Sequence, residues 1–518
     1  MTQAIAFDKF KGIREQNGIV DISSGVISAL EAKNVEFYAT NISNCVGIRT
    51  IQGRTLTNTL DETLTIYGDF TSRQNNKDIR LVYVEDDKKG MLLRLDTTPV
   101  TLIDNLPKTG KCNGITMLYG EYDTFVLTNG EELWFYAEGR EPEVEEINPV
   151  DAEGRDIKGL CLFTQDQRLG IETKNRVHWS KQMDITNWNA QDSDSDGNPL
   201  ATNAAYEEFT NNITAIAQYI NGIVAFTESD STYLSGNPAI ASQFVREDAS
   251  IGGTPCFSSV VVHDKYLFYY DHKQNNIYYF IQNDVGQKRT GDPIAFEIQQ
   301  ELVNVDFERI NKVFMKSVYA DGKNEIWVIF PQKDNGQSIF VFDYLFQEWT
   351  ERTLTDVNTI NTANNAIYTS SGNKIYRENL GTFEGQSLYK MSIINMGSDT
   401  NLKIPKLVPT VTVDNLATND FWVQIRVDGK DKVKEKYIKS RFKDYFTWGD
   451  DTSDESNQKQ LWDLNNWAIE SQIPVVQKLP PIPAFKWLEL TFLTKNIGEE
   501  FSIKRFEVKK IRTKYKTL

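Results

Sequence analysis

Histidine is the scarcest reactive side chain here: 518 residues contain three, His178, His263 and His272. General acid–base chemistry draws first on histidine. His178 lies in an apolar-aromatic run and His263 closes Val260-Val261-Val262, settings that suit packed strand residues. No H-E-x-x-H, G-x-S-x-G or P-loop pattern occurs. Cysteine is nearly as thin, and Cys45, Cys112, Cys161 and Cys256 stand far apart with no C-x-x-C pair. That spacing favours reduced, buried thiols over a zinc site or a disulfide framework. No stretch approaches the ~20 apolar residues of a membrane span. The opening Met1 to Lys9 lacks the apolar run of a signal peptide, so synthesis in a cytoplasm and no membrane association are expected.

Acidic residues are the opposite case. Asp and Glu total 72 against 56 Lys and Arg, for a formal net charge of −16. Such a surface does not neutralise phosphates, which argues against ordinary duplex-DNA binding. With so many carboxylates, a pair spaced for glycoside hydrolysis exists by arithmetic alone and carries no information. The nearest approach to a sialidase-type S-x-D-x-G-x-x-W repeat, Ser193 to Leu200, misplaces the aspartate and lacks the tryptophan. No enzyme is expected.

What the chain does have is aromatic density, 12% of all residues, and short apolar runs broken by polar turns. Flat and β-branched side chains suit a pleated surface, and run–turn–run is the hairpin signal. Arg80–Val84 turns into Met91–Leu95, Thr124–Leu127 into Leu133–Tyr136, and Ile223–Phe226 into Thr232–Leu234. Tyr266–Tyr270 turns into Ile277–Phe280, Glu325–Phe330 into Ile339–Phe342, and Ala366–Tyr368 into Ile375–Tyr376. Leu160–Phe163, Leu169–Ile171 and Arg176–Trp179 form a triplet of the same kind. The units recur at the roughly 40–50-residue period of propeller blades. One small sheet cannot cover both its faces, whereas radial stacking lets neighbours cover each other.

The expected fold is therefore all-β: an N-terminal extension over 1–60, a β-propeller of six or seven blades over 61–383, and a C-terminal β-sandwich over 384–518. A string of sandwiches is the alternative. The best helical candidate, Val26 to Phe37, also reads as strand.

Two charged segments stand out. Asp192-Ser193-Asp194-Ser195-Asp196-Gly197 alternates carboxylates before a glycine, the arrangement that converges hard oxygens on calcium. The twelfth loop position is Asn203, which cannot supply a bidentate carboxylate, so a solvated acidic loop stands beside the Ca²⁺ reading at Asp192, Asp194 and Asp196. No other cofactor is indicated. The chain closes on a basic run that includes Lys509, Lys510, Arg512 and Lys514. It reads as a last strand with alternating exposed lysines, or as oligomer contacts to an acidic surface.

Some of these stretches together resemble a known family. Phe10-Lys11-Gly12-Ile13, then Asn34-Val35, then Gly47-Ile48-Arg49-Thr50-Ile51-Gln52-Gly53 stand in its order. Further on, Arg176-Val177-His178-Trp179-Ser180 is followed by Asp184-Ile185-Thr186-Asn187-Trp188, with Ile185 where the pattern usually has proline. Asn211 to Ile216, Asn221 to Phe226, Tyr233 to Gly236 and Ile251-Gly252-Gly253 complete the run. In these respects the chain resembles the tail nozzle and packaged-DNA stabilisation proteins of short-tailed bacteriophages. The resemblance implies a structural subunit of the virion tail, made in the host cytoplasm. It implies a homo-oligomeric ring, a hexamer ahead of a dodecamer, beneath the portal and adaptor. The ring would extend the DNA conduit, through which the genome passes without specific binding, and help retain and eject it. A glycan-binding tail or surface module is the alternative, and a polysaccharide-cleaving enzyme comes after it.

Overall fold

The computed structural model describes residues 3–7, 9–13, 19–20, 26–39, 46–95, 98–250, 252–282, 288–290, 293–395, 407–413, 420–427, 433–438, 475–478 and 487–510. These form two compact units, one of Thr55–Ile339 with Leu354–Glu378 and one of Met1–Arg54, Phe340–Thr353 and Asn379–Leu518.

The larger unit is a β-propeller with six four-stranded antiparallel blades. Blade 1 is Thr65–Gln74, Lys77–Glu85, Gly90–Arg94 and Val100–Leu106; blade 2 is Asn113–Tyr119, Tyr122–Thr128, Leu133–Tyr136 and Val144–Ile147. Blade 3 is Leu162–Gln165, Arg168–Thr173, Arg176–Trp179 and Ala205–Glu208; blade 4 is Ile213–Tyr219, Gly222–Thr227, Ser231–Gly236 and Phe244–Ser250. Blade 5 is Val260–His263, Tyr266–Asp271, Asn276–Gln282 and Lys288–Thr290. Blade 6 takes Thr359–Ala363, Ala366–Ser371 and Lys374–Arg377 from late in the chain and Thr55–Thr59 from its beginning. Between blades 5 and 6, the hairpin Phe314–Ala320/Lys323–Pro331 adds its first strand to the inner ring. Seven strands thus stand side by side around the axis, six of them opening complete blades.

Local chemistry sets the hairpins. Asn75-Asn76, Asp166-Gln167, Asp321-Gly322 and Asn364-Asn365 each hold two successive positive φ angles between paired strands. This is the tight turn whose twist matches that of the strands, and Asn, Asp and Gly tolerate it best. The inter-blade layers are apolar. Val126, Phe135 and Leu133 meet Leu162, Leu169 and Trp188 between blades 2 and 3; Phe226 and Tyr233 meet Leu267, Tyr269 and Phe280 between blades 4 and 5. Ile375 joins Ile66 and Val82 between blades 6 and 1, so the layer is continuous across the closure. Each fully buried large side chain contributes about 1.5–3 kcal/mol through lost water contact, and such residues recur in every layer.

In the other unit the two ends of the chain meet. Gln3–Phe7 pairs antiparallel with Ser502–Lys510, Gln3 opposite Lys510. Val26–Lys33 pairs with Leu388–Met391, and Phe421–Val427 with Trp487–Leu493. Leu407–Val413 lies between Val475–Lys478 and Ser502–Lys510. The N-terminal stretch, expected as a separate extension, is part of the same strand system as the C-terminal region. Local periodicity identifies strands but is silent on partners 500 residues away. Val26–Lys33 and Val35–Ala39 are strands, so the helical alternative for 26–37 is not taken. The acidic stretch 450–455 and the prolines at 480–483 lie outside the described residues, as does Cys45; Cys112, Cys161 and Cys256 are free and buried.

Buried polar contacts fix this unit's N-terminal motifs. Asn34 is fully buried at φ 54°, in the left-handed region that asparagine tolerates. Its amide donates to Thr353 Oγ1 at 2.5 Å and the Gln386 carbonyl at 2.7 Å, and its Oδ1 accepts from the Thr353 N–H at 2.8 Å. A Cβ on Gly12 would stand 2.4 Å from the Trp349 carbonyl oxygen, and one on Gly53 2.1 Å from that of Thr382. Only glycine fits either position.

Candidate functional site

The propeller axis holds a cavity of about 610 Å³, walled by the seven inner strands. Blade 1 contributes Tyr67 to Phe70, and the hairpin contributes Phe314, Met315 and Lys316. Phe257 adds an aromatic face, and Thr116, Thr164 and Gln218 add polar groups. The volume falls within the few hundred to about 1,000 Å³ typical of small-ligand sites.

Asp69 and Lys316 are the charged residues among the described cavity lining. Asp69 is buried and already engaged. Arg80 from the neighbouring strand forks onto it, Nε to Oδ1 at 2.8 Å and Nη2 to Oδ2, while Asn361 Nδ2 of blade 6 donates to Oδ1 at 2.8 Å. The Arg80 guanidinium in turn lies 3.9 Å from the centre of the Tyr368 ring, a cation–π contact. Lys316 is half-buried, and loss of water pushes its amine below the ordinary lysine range, with the Asp69 charge pulling it back up.

The three histidines lie apart. His178 in blade 3 is buried with Nε2 2.9 Å from Thr173 Oγ1. Burial pushes it down to about 4, Asp151 opposing and Arg176 reinforcing the shift. His263 in blade 5 sits between Ser317 and Asn324 of the hairpin, and burial lowers it too. His272 occupies the turn after Tyr266–Asp271 and is lowered by partial burial. Each is a strand or turn residue whose proton affinity burial lowers.

In the acidic loop the three aspartates have different surroundings. Asp194 turns its carboxylate inward: Oδ1 accepts from the N–H groups of Asp196 and Asn198 at 2.9 and 2.8 Å, and Oδ2 from Asn198 Nδ2 at 3.1 Å. Asp192 pairs with Lys181 Nζ at 2.8 Å, and Asp196 is exposed. Gly197 makes the sharp turn at φ 82°. Asn203 closes the loop base, accepting from the Asp192 N–H at 3.0 Å and donating to its carbonyl at 2.7 Å. Among the described residues no three His, Cys, Asp or Glu side chains are grouped to hold a metal. Of the basic tail, Lys509 and Lys510 have their backbone in the last strand, while Arg512 and Lys514 lie outside the described residues.

Sequence reasoning missed Arg168. It is fully buried at the start of the second strand of blade 3. Its guanidinium donates to the carbonyls of Ser180 at 2.9 Å, Ala201 at 2.5 Å, Thr202 at 3.3 Å, and Asn203. One side chain thereby ties both ends of the long loop that carries the aspartates. An arginine after a turn looks like any surface charge, so nothing in the local pattern announces this.

No known family's sequence pattern matches the chain, and no curated protein matches it. Among solved structures, the Pan2 WD40 domain of Neurospora crassa aligns at TM-score 0.37 and 9% identity, over 64% of this chain and 94% of that one. A putative 6-phosphogluconolactonase of Bacteroides fragilis aligns at 0.35 and 15%, over 61% and 89%. An exo-β-1,3-galactanase of Phanerochaete chrysosporium aligns at 0.25 and 9%, over 89% and 100%. Likenesses this loose carry no argument about this chain. No helix among the described residues is long and apolar enough to cross a membrane, which says nothing of a β-barrel.

Proposed function

We propose that the chain is a structural subunit of a short-tailed bacteriophage tail, a nozzle or ring protein rather than an enzyme. Its copies would close a ring, hexameric ahead of dodecameric, beneath the portal and adaptor. That ring would extend the DNA conduit and help retain the genome until ejection. The observation that carries this reading is where the resembling residues fall. Gly12, Asn34 and Gly53 occupy positions that only glycine, or in the middle case a left-handed asparagine with three side-chain hydrogen bonds, satisfies. Trp179 and Ser180 are buried at the end of a blade 3 strand, and Ile185 and Trp188 are buried within the loop that follows it. These motif residues are held by packing, which is what a shared fold would conserve in shape.

Surface chemistry agrees. Phe296, Val303 and Phe307, on the short helical stretch before the hairpin, are each about half exposed (47, 60 and 46%). Exposed large apolar side chains gathered on one segment suit contacts with other chains, and ring closure needs such patches to meet a different surface on the next copy. The strands after 384 are read as a β-sandwich, on the strength of two antiparallel groups, one around Phe421–Val427 and Trp487–Leu493, the other around Leu407–Val413. Quantitative mass spectrometry of purified particles, scaled to the portal protein, tests the proposal. A ring's worth of copies supports it; absence from the particle overturns it. A glycan-binding module is the second reading, favoured by the aromatic wall of the axial cavity, and predicts neutral-sugar binding in solution.

A further inference from the structure

We propose that the axial cavity of the propeller binds a small organic anion, with a carboxylate or phosphate head on the Lys316 ammonium and the body against the aromatic wall. This goes beyond the assembly role and does not depend on it.

Lys316 is the one cation of a described lining that holds one carboxylate, Asp69, and Arg80 pairs with that carboxylate from outside the lining. Arg80 and Asn361 satisfy that carboxylate through its two oxygens. Lys316, by contrast, has no hydrogen-bond or ion-pair partner among the described residues. A protein of net charge −16 has every long-range reason to keep anions away, yet at this point one positive charge is left over. An amine withdrawn from water without a partner costs stability, and its lowered proton affinity is the local sign of that cost. Binding an anion would return the lost interaction.

Shape narrows the ligand. About 610 Å³ holds a molecule of mono- or disaccharide size and excludes a nucleic-acid duplex. Phe70, Phe257 and Phe314, each half-buried, offer apolar rings, whereas Phe163 is packed against Trp179 in the layer behind. Thr164 Oγ1 bonds to Gln218 Oε1 at 2.9 Å, an arrangement that leaves the Gln218 amide N–H groups as further donors beside the cavity. The Lys316 ammonium and these N–H groups are donors of the kind an anion's oxygens accept from.

Calorimetric titration of the full chain with glucuronate, glucose 6-phosphate and glucose at low ionic strength tests this. At least one of the two anions should bind at one per chain and about tenfold or more tighter than glucose. Glucuronate alone would assign a carboxylate head, glucose 6-phosphate alone a phosphate head, and both the shared chemistry. Lys316→Met should erase the preference while melting no lower than the parent, since it removes an unpaired desolvated charge. Should that variant not fold, protection of Lys316 from amine acylation by the bound anion, read by peptide mass spectrometry, gives the same answer. Equal or tighter binding of glucose, no binding of either anion, an unchanged preference in Lys316→Met, or unprotected Lys316 at saturation would each overturn the proposal.

Discussion

Arg168 shows how one side chain can hold a long excursion without a core of its own. Residues 181–204 contain little regular structure, and the carbonyls of Ser180 and of Ala201 to Asn203 converge on a single buried guanidinium. Replacing it by methionine keeps much of the volume but strands those acceptors. We expect Arg168→Met to lower unfolding free energy by about 3 kcal/mol in urea titration, with new proteolytic cleavage within 181–204. Burial also sets a pH response. His178 takes up its proton near 4 when folded, against about 6.5 in an unfolded chain, so the unfolded state protonates first as pH falls. Its contribution is whole above about 6.5 and is lost progressively toward 4, a total of about 3 kcal/mol; His263 acts in the same direction. The stability difference between His178→Gln and the parent should therefore shift in the variant's favour between pH 7 and 4.5. A constant difference across that range would remove the histidine from the explanation.

At the scale of elements, the hairpins were legible because each carries its own evidence: alternation on both sides and Asn, Asp or Gly between. Arg80–Val84, Thr124–Leu127, Ile223–Phe226 and Tyr266–Tyr270 all lie in second strands of blades, paired as their turns required. The strand that closes the ring was not legible. Thr55-Leu56-Thr57-Asn58-Thr59 is polar and mostly exposed, and its partner Lys374–Arg377 is more than 300 residues away. Its identity comes from being held, through Asn58 opposite Ile375 and the Leu60 N–H on the Asn373 carbonyl at 2.9 Å. The same blindness hid the pairing of the two chain ends. At the cavity, Asp69 and Lys316 come from strands some 250 residues apart, and neither run signals a site. The acidic loop's alternating carboxylates are conspicuous in sequence, and Asp194 accepts hydrogen bonds from its own turn. Because the closing strand is held through its ladder to Lys374–Arg377, Asn58→Pro should lower the melting temperature of the full chain, at a cost of about 1 kcal/mol or more. An unchanged melt would mean that the ring stands without it.

For the whole molecule, charge distribution sets the terms of assembly. A body of net charge −16 repels its own copies at long range, so ring formation needs local attraction strong enough to win at contact. In the proposed ring, exposed Phe296, Val303 and Phe307 would supply an apolar share, and the basic run near the end of the sequence would supply an electrostatic one. Reversing Lys509, Lys510, Arg512 and Lys514 to glutamate should shift light-scattering mass toward the monomer without altering the melt. Raising salt should act on the parent in two opposing ways, relieving body repulsion and screening the tail; an unmoved oligomer mass after charge reversal would exclude the tail from the contact. The sixth blade finally imposes an order on biosynthesis. A ribosome translating this message releases five blades in succession while the strand that will seal them, made near the start, waits with an unpaired edge until codon 377 has been read. A chain interrupted before then is an arc with two raw β-edges, a client for chaperones and a seed for aggregation.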